Sequence, residues 1–211
     1  MMKREIVPEI LDTLDPTDPA AIRSRKDLRF LNFMMGNDRW VRSTVAAHSD
    51  SSQKGITEIG AGEGRLLSKL ADHGPASGVD LAPRPPDLNP SISWIEGDLF
   101  ENSPDIGGGV LVANLFLHHF NASDLARIGT LAENFEVLIF SEPLRNKNIL
   151  RLSQCVMPLM GSVTRHDMPV SIRAGFVMDE ISTFLRLPDA WQISEHGTAL
   201  GAIRTVARRS R

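Results

Sequence analysis

The chain has 211 residues, 42% of them hydrophobic, with 23 lysines and arginines against 26 acids and a formal charge of −3. That content suits one well-filled α/β domain, and the interspersed charges exclude the basic stripe of a nucleic-acid path; the Arg208-Arg209-Ser210-Arg211 tail is too short to change this. A lone cysteine, Cys155, excludes an internal disulfide. The opening Met1-Met2-Lys3-Arg4-Glu5 leads into Pro8, Asp12 and Asp15 without an apolar leader, and no run approaches the ~20 apolar residues of a membrane span, so a cytoplasmic protein is expected.

In chain order, Asp18-Pro19 supplies a helix start and Gly36-Asn37 a stop. Between them Ile22, Leu28, Leu31 and Met35 recur at helical spacing as the apolar face, and a second short helix carries Trp40, Val41, Thr44 and Val45. Arg23, Arg25, Lys26 and Arg29 make this hairpin basic, which reads as a solvated face.

After the apolar stretch Gly55-Ile56-Thr57 comes the turn Glu58-Ile59-Gly60-Ala61-Gly62-Glu63-Gly64, followed by the helical run Arg65 to Leu70. Glycines at alternate positions let a ligand approach the backbone at a helix start. A dinucleotide pyrophosphate over this turn meets Glu58 and Glu63, and Arg65 stands where that fingerprint requires its third glycine. S-adenosylmethionine carries an ammonium and a sulfonium and no phosphate, so the carboxylate of Glu58 attracts it.

The run Ser77 to Asp80 then ends on an acid about twenty residues after Gly60, suited to ribose hydroxyls, with Leu81 following. A strand from Ile92 leads to Gly97-Asp98-Leu99, where Asp98 can accept the adenine amino group and Leu99 pack on the base. The buried-strand pattern Gly109 to Asn114 is followed by Leu115-Phe116-Leu117-His118-His119-Phe120. A helix from Ala122 to Glu133, capped by Asn121 or Ser123, leads to the strand Phe135 to Phe140 and to Ser141-Glu142-Pro143-Leu144-Arg145, where a parallel sheet's carboxyl edge puts Glu142 and Arg145 near the chemistry. The polar segment Arg165 to Phe176, with His166, Asp167, Met168 and Arg173, reads as a loop. Trp191 to Ser194 and Ala199 to Ala207 flank the turn Glu195-His196-Gly197 as an antiparallel edge pair.

On these residues, over roughly 55 to 145, the chain resembles the class I, Rossmann-like S-adenosylmethionine-dependent methyltransferases of the small-molecule subgroup. The resemblance assigns Glu58, Gly60, Ala61, Gly62 and Gly64 to the first cofactor motif and Asp80 with Leu81 to the second. Gly97, Asp98 and Leu99 form the third, and Asn114 with Leu117-His118-His119 the fourth. It implies an α/β fold with a mostly parallel seven-stranded sheet, an antiparallel last strand and helices on both faces. It also implies one domain over 1–211: an N-terminal helical lid (1–50), a cofactor-binding core (55–145), and a substrate-side insertion with closing strands (146–211), the 165–176 segment covering the acceptor.

The expected reaction is methyl transfer to an oxygen or activated carbon of a small aromatic or polyketide-like acceptor in secondary metabolism, with no metal; a homodimer is left open. A base is needed for a weakly acidic acceptor, and His119, His118 and His166 are the candidates, with Arg145, Met168 and Arg173 on the substrate side. Adjacent histidines cannot both point the same way, His166 beside Asp167 also suits a surface ion pair, and the methionines equally suit a core. Cys155 reads as a buried inert thiol. The alternatives are a nicotinamide (NAD(P))-dependent oxidoreductase, disfavoured by Glu63 and Arg65, and a non-catalytic S-adenosylmethionine-binding partner.

Overall fold

A computed structural model describes residues 2–102 and 106–210. Seven strands form one sheet: β1 (Ile56–Ile59), β2 (Ala76–Asp80), β3 (Ser93–Glu96), β4 (Val110–Asn114), β5 (Val137–Pro143), β6 (Trp191–Gly197) and β7 (Ala202–Arg209). Their order is β3-β2-β1-β4-β5-β7-β6, with β1 to β5 parallel and β7 antiparallel to both its neighbours. The order reverses between β1 and β4, so a crevice opens at their carboxyl ends, where open α/β sheets take ligands.

The apolar runs are buried on both faces because helices cover both. Leu111, Ala113, Leu138 and Phe140 point to a core with Leu125, Ile128, Phe176 and Leu185, while Val110, Val112, Val137 and Ile139 point to a second one with Val41, Val45, Leu66 and Leu70. That alternation is the period-two consequence of extended backbone. The closing pair is antiparallel as expected, but Glu195, His196 and Gly197 belong to β6, and the connection runs through 198–201. Hydrogen bonds from Thr198 N to Ala202 O and from Gly201 N to Thr198 O close it.

Eight helices surround the sheet among the described residues: α1 (Pro19–Met35), α2 (Asn37–Ala47), α3 (Ser49–Ser52), α4 (Arg65–Leu70), α5 (Ala122–Ala132), α6 (Lys147–Val156), α7 (Ser162–Ala174) and α8 (Glu180–Leu185). The ends of α1 follow the expectation: Asp18 accepts from Ala20 N, and Gly36 closes it in the left-handed conformation. Its buried face does not. Ala21, Ser24 and Asp27 are buried, whereas Ile22, Phe30, Phe33 and Met34 are exposed. The reason lies on α7, whose capping residue Gly161 has no side chain. Asp27 Oδ2 accepts the Gly161 N–H at 2.6 Å, and Ser24 Oγ meets Thr164 Oγ1 at 3.1 Å. One helix thus caps another, and α1 buries polar groups because their partners are there.

No described helix is long and apolar enough to cross a membrane.

Candidate active site

The glycine turn sits at the end of β1, tied to β2 by Gly60 N and Ala61 N donating to Val79 O at 2.9 and 3.3 Å. Gly60 has φ +67°, and a Cβ there would lie 2.1 Å from the Phe116 ring. Phe116 therefore packs directly on the turn, and neither a side chain nor a right-handed backbone fits at that position. Gly62 (φ +53°) instead faces open space and donates its N–H to Asp80 Oδ2 at 2.7 Å. Gly64 leads into α4, and Ala61 is buried beneath the turn.

Glu58 is 3% exposed, and its Oε2 has no hydrogen-bond partner among the described residues. Burial, reinforced by the negative charges of Asp38 and Asp80, pushes its carboxyl well above the usual range. A buried carboxyl with a free oxygen is costly unless a cation arrives. At the neighbouring strand end Asp80 also accepts the Ala82 N–H at 2.9 Å. Leu81 is 75% exposed beside it, an apolar surface suited to a flat base. On β3's far side Asp98 is exposed, holding Phe100 N at 2.7 Å, while Leu99 turns into the core. Gly97 N donates to Asp80 O at 2.9 Å, which joins the second and third motifs. Asn114 at the end of β4 has a buried Oδ1 without a partner among the described residues, and its Nδ2 reaches Asn32 of α1 at 3.4 Å. Arg29 and Arg25 of α1 pair with Glu63 at 2.9 and 3.5 Å, so the basic face is fastened to the turn and only partly solvated.

The segment after β4 is organised by Glu142, which is fully buried on β5. Its Oε1 accepts Phe116 N and Leu117 N at 2.9 Å each, and Oε2 accepts His118 N at 3.3 Å and faces His118 Nδ1 at 2.8 Å. His118 Nε2 lies 3.5 Å from Glu9 Oε1. Burial alone disfavours the imidazolium, yet the bonds to Glu142 and Glu9 and their charges push the pKa up to about 9. The two carboxylates thus favour the charged form of His118, the direction opposite to the one a general base needs. Glu9 is held below the ordinary carboxyl range: burial opposes this, but the bond and charge from His118 and the Ser171 hydroxyl prevail. His119 is different. Its Nδ1 donates to Phe116 O at 3.0 Å, which turns Nε2 the other way, and the side chain is 31% exposed. From Gly60 the chain of contacts runs to the Phe116 ring and on to His119, 6.3 Å between ring centroids.

No protein-family model matches the chain, and no curated protein does. Solved structures do. The plantazolicin methyltransferase BpumL, in complex with a pentazolic desmethylPZN analog and SAH, is similar with a TM-score of 0.67 and 12% identity, over 92% of this chain and 93% of that one. An O-methyltransferase family protein from Burkholderia thailandensis gives 0.59 and 16%, over 93% of this chain and 63% of that one. The N-methyltransferase NodS from Bradyrhizobium japonicum gives 0.53 and 16%, over 82% and 96%. The chain has the class I methyltransferase fold.

Several residues expected near the acceptor of a class I methyltransferase serve this fold structurally. Arg145 is 4% exposed and spends its guanidinium on Met2 O (2.9 Å), Gly175 O (2.8 Å) and Glu180 Oε1 (2.6 Å). It is an internal strut. The 165–176 segment is not a loop but most of α7, with Pro169 inside the helix. His166 is exposed at 51%, and its Nδ1 lies 2.9 Å from Asp167 Oδ1, the surface ion pair that its sequence position also suited. Asp167 is buried and accepts Ile10 N and Leu11 N at 2.9 and 3.0 Å. Arg173 turns back on Pro169 O at 3.4 Å, Met168 is half-buried on the same helix, and Cys155 is exposed, contrary to expectation.

The residues that sequence reasoning missed are in an N-terminal strap, residues 2–14, which precedes α1. Arg4 donates to Ala174 O and His118 O at 2.7 and 3.2 Å, and Glu5 N donates to Arg173 O at 3.2 Å. Glu9 and Asp12 are thereby brought against the two histidines. No local pattern marks them, because their partners lie after β4 and on α7.

Proposed function

We propose that the chain is an S-adenosylmethionine-dependent methyltransferase acting on an oxygen or activated carbon of a small aromatic or polyketide-like metabolite. The observation that carries this reading is Glu58: a buried carboxyl with an oxygen unpartnered among the described residues, beside a glycine turn open at Gly62, in a fold shared with the methyltransferase BpumL in complex with SAH. The unpartnered Asn114 Oδ1 and the exposed Leu81 fit the same ligand. A nicotinamide dinucleotide fits less well, since Glu58 and Glu63 repel its pyrophosphate.

When bound, S-adenosylmethionine supplies a methyl group already activated on a sulfonium. Asp80 would hold the ribose, Asp98 and Leu81 the adenine, and Glu58 and Asn114 the cationic end. The protein's remaining work is to align the acceptor, exclude water and take a proton where one must leave. We assign that proton to Nε2 of His119, whose tautomer is set by the bond from Nδ1 to Phe116 O. Phe116, Phe120 and the strap supply apolar walls and closure. The single cysteine fits a reducing compartment, and we place the enzyme in the cytoplasm on that ground.

The test is turnover of a panel of phenols and quinols with methyl-labelled S-adenosylmethionine. Labelled product from at least one acceptor class supports the reading; cofactor binding without turnover on any acceptor favours the non-catalytic alternative.

A further inference from the structure

We propose that Glu9, His118 and His119 form a binding site for one divalent transition-metal ion of the zinc type, with Asp12 as a second carboxylate at its rim. Glu9 and both histidines each offer one ligand atom, and these atoms lie within 4.8 Å of one another. His118 Nε2 is 3.5 Å and His119 Nε2 3.9 Å from Glu9 Oε1, and Asp12 Oδ2 is 3.8 Å from His119 Nε2. Bonds of 2.0 to 2.1 Å to a tetrahedral zinc place ligand atoms about 3.4 Å apart, so the two imidazole-to-Glu9 separations need contract by only about 0.5 Å or less, and no pair in the cluster by more than about 1.4 Å.

The outer contacts make the case stronger than proximity does. Both imidazoles have Nδ1 engaged, His118 with the Glu142 carboxylate at 2.8 Å and His119 with Phe116 O at 3.0 Å; contrary to the expectation that adjacent histidines diverge, the 3-10 turn that holds them leaves both Nε2 atoms turned toward the same carboxylate. A ring whose far nitrogen is held by a carboxylate or carbonyl is how metal-ligating histidines are oriented. Glu9 is itself steadied by the Ser171 hydroxyl. A plain ion pair accounts for His118 between Glu142 and Glu9. It does not account for His119 Nε2, which stands 3.9 and 3.8 Å from two carboxylates, beyond hydrogen-bond range of both. Two imidazoles with a carboxylate suit zinc or iron rather than magnesium or calcium.

An ion here would take the place of the proton between His118 and Glu9 and rivet the N-terminal strap to the turn after β4. It would also occupy the nitrogen assigned to proton removal, so metal binding and base catalysis compete for His119. The site itself does not depend on the methyltransferase reading.

The experiment uses the full chain, stripped with a chelator and then titrated with zinc chloride by calorimetry and with cobalt(II) chloride by visible absorption. The expected result is one equivalent bound with sub-micromolar affinity and an intense absorption band of low-symmetry cobalt. Glu9→Gln and His119→Ala should each weaken zinc at least tenfold, with His166→Ala unchanged and circular dichroism confirming that each variant folds. Absence of saturable binding, or binding unaltered by both Glu9→Gln and His119→Ala, overturns the proposal.

Discussion

Glu58 carries two opposed effects that one substitution separates. Its carboxyl is raised in the folded state, so its contribution to stability is present below its ordinary value of 4.5 and is lost as the pH rises through the folded-state value. Glu58→Gln removes that loss. Thermal midpoints of the ligand-free variant should equal or exceed wild type at pH 8 and converge with it near pH 4. The same change should weaken S-adenosylmethionine by about 1.5 to 3 kcal/mol, the range for a hydrogen bond to a charged group. Equal loss of stability and affinity at pH 8 would make Glu58 a packing residue. At the acceptor side, His119→Ala should lower turnover of a weakly acidic phenol by about 10²- to 10⁴-fold with little change in cofactor affinity. Recovery as the acceptor becomes more acidic is the mark of a lost base, and a uniform loss across acceptors would assign His119 to positioning.

Between elements, the α1–α7 contact shows how far a helix can be read in isolation. Asp27→Ala removes both the Gly161 N–H acceptor and the partner of Arg23 at 3.0 Å. It should lower the unfolding free energy by about 1 to 2 kcal/mol in urea titrations, the usual cost of a lost cap, with cofactor affinity unchanged. The ends of α1 were legible because Asp18-Pro19 and Gly36 act on backbone within a few residues of themselves, the Asp18 side chain on Ala20 N and Gly36 through its own left-handed conformation. Its buried face was not, since Ser24 and Asp27 are acceptable in a core only when Thr164 and Gly161 satisfy them. The strands β4 and β5 were legible as continuous apolar runs, for burial on both faces leaves little polar alternation to misread, whereas β1, Ile56-Thr57-Glu58-Ile59, was legible from the glycine turn that follows it. α7 read as a loop because Pro169 and its charged residues obscure a helix that packing against α1, α6 and the strap maintains. Arg145 misled for a related reason: a strand-end arginine looks available until Gly175 and Glu180 fold back onto it.

Across the whole molecule, the placement of the proposed cofactor residues was legible and that of the proposed acceptor residues only in part. Glu58, Asp80 and Asp98 each sit at the end of their own strand, and a parallel sheet brings strand ends together by construction. Glu9 and Asp12 reach His119 only through the strap, held by Asp167, Arg4 and Arg173, which no periodicity announces. Deleting residues 1–14 should therefore leave cofactor affinity within a few-fold of wild type while depressing turnover, measured side by side in calorimetry and product assays. Full turnover in the truncated protein would show that the strap neither covers nor completes the acceptor site.

The central claim is that the strand-end acids and the glycine turn hold a cationic nucleoside and reject a dinucleotide. Calorimetric titration of the chain with S-adenosylmethionine and, separately, with NAD and NADP tests it most directly. The expected result is a one-to-one complex with S-adenosylmethionine at micromolar affinity or better, roughly 8 kcal/mol, and no heat from either dinucleotide. Binding of a dinucleotide without binding of S-adenosylmethionine would contradict it.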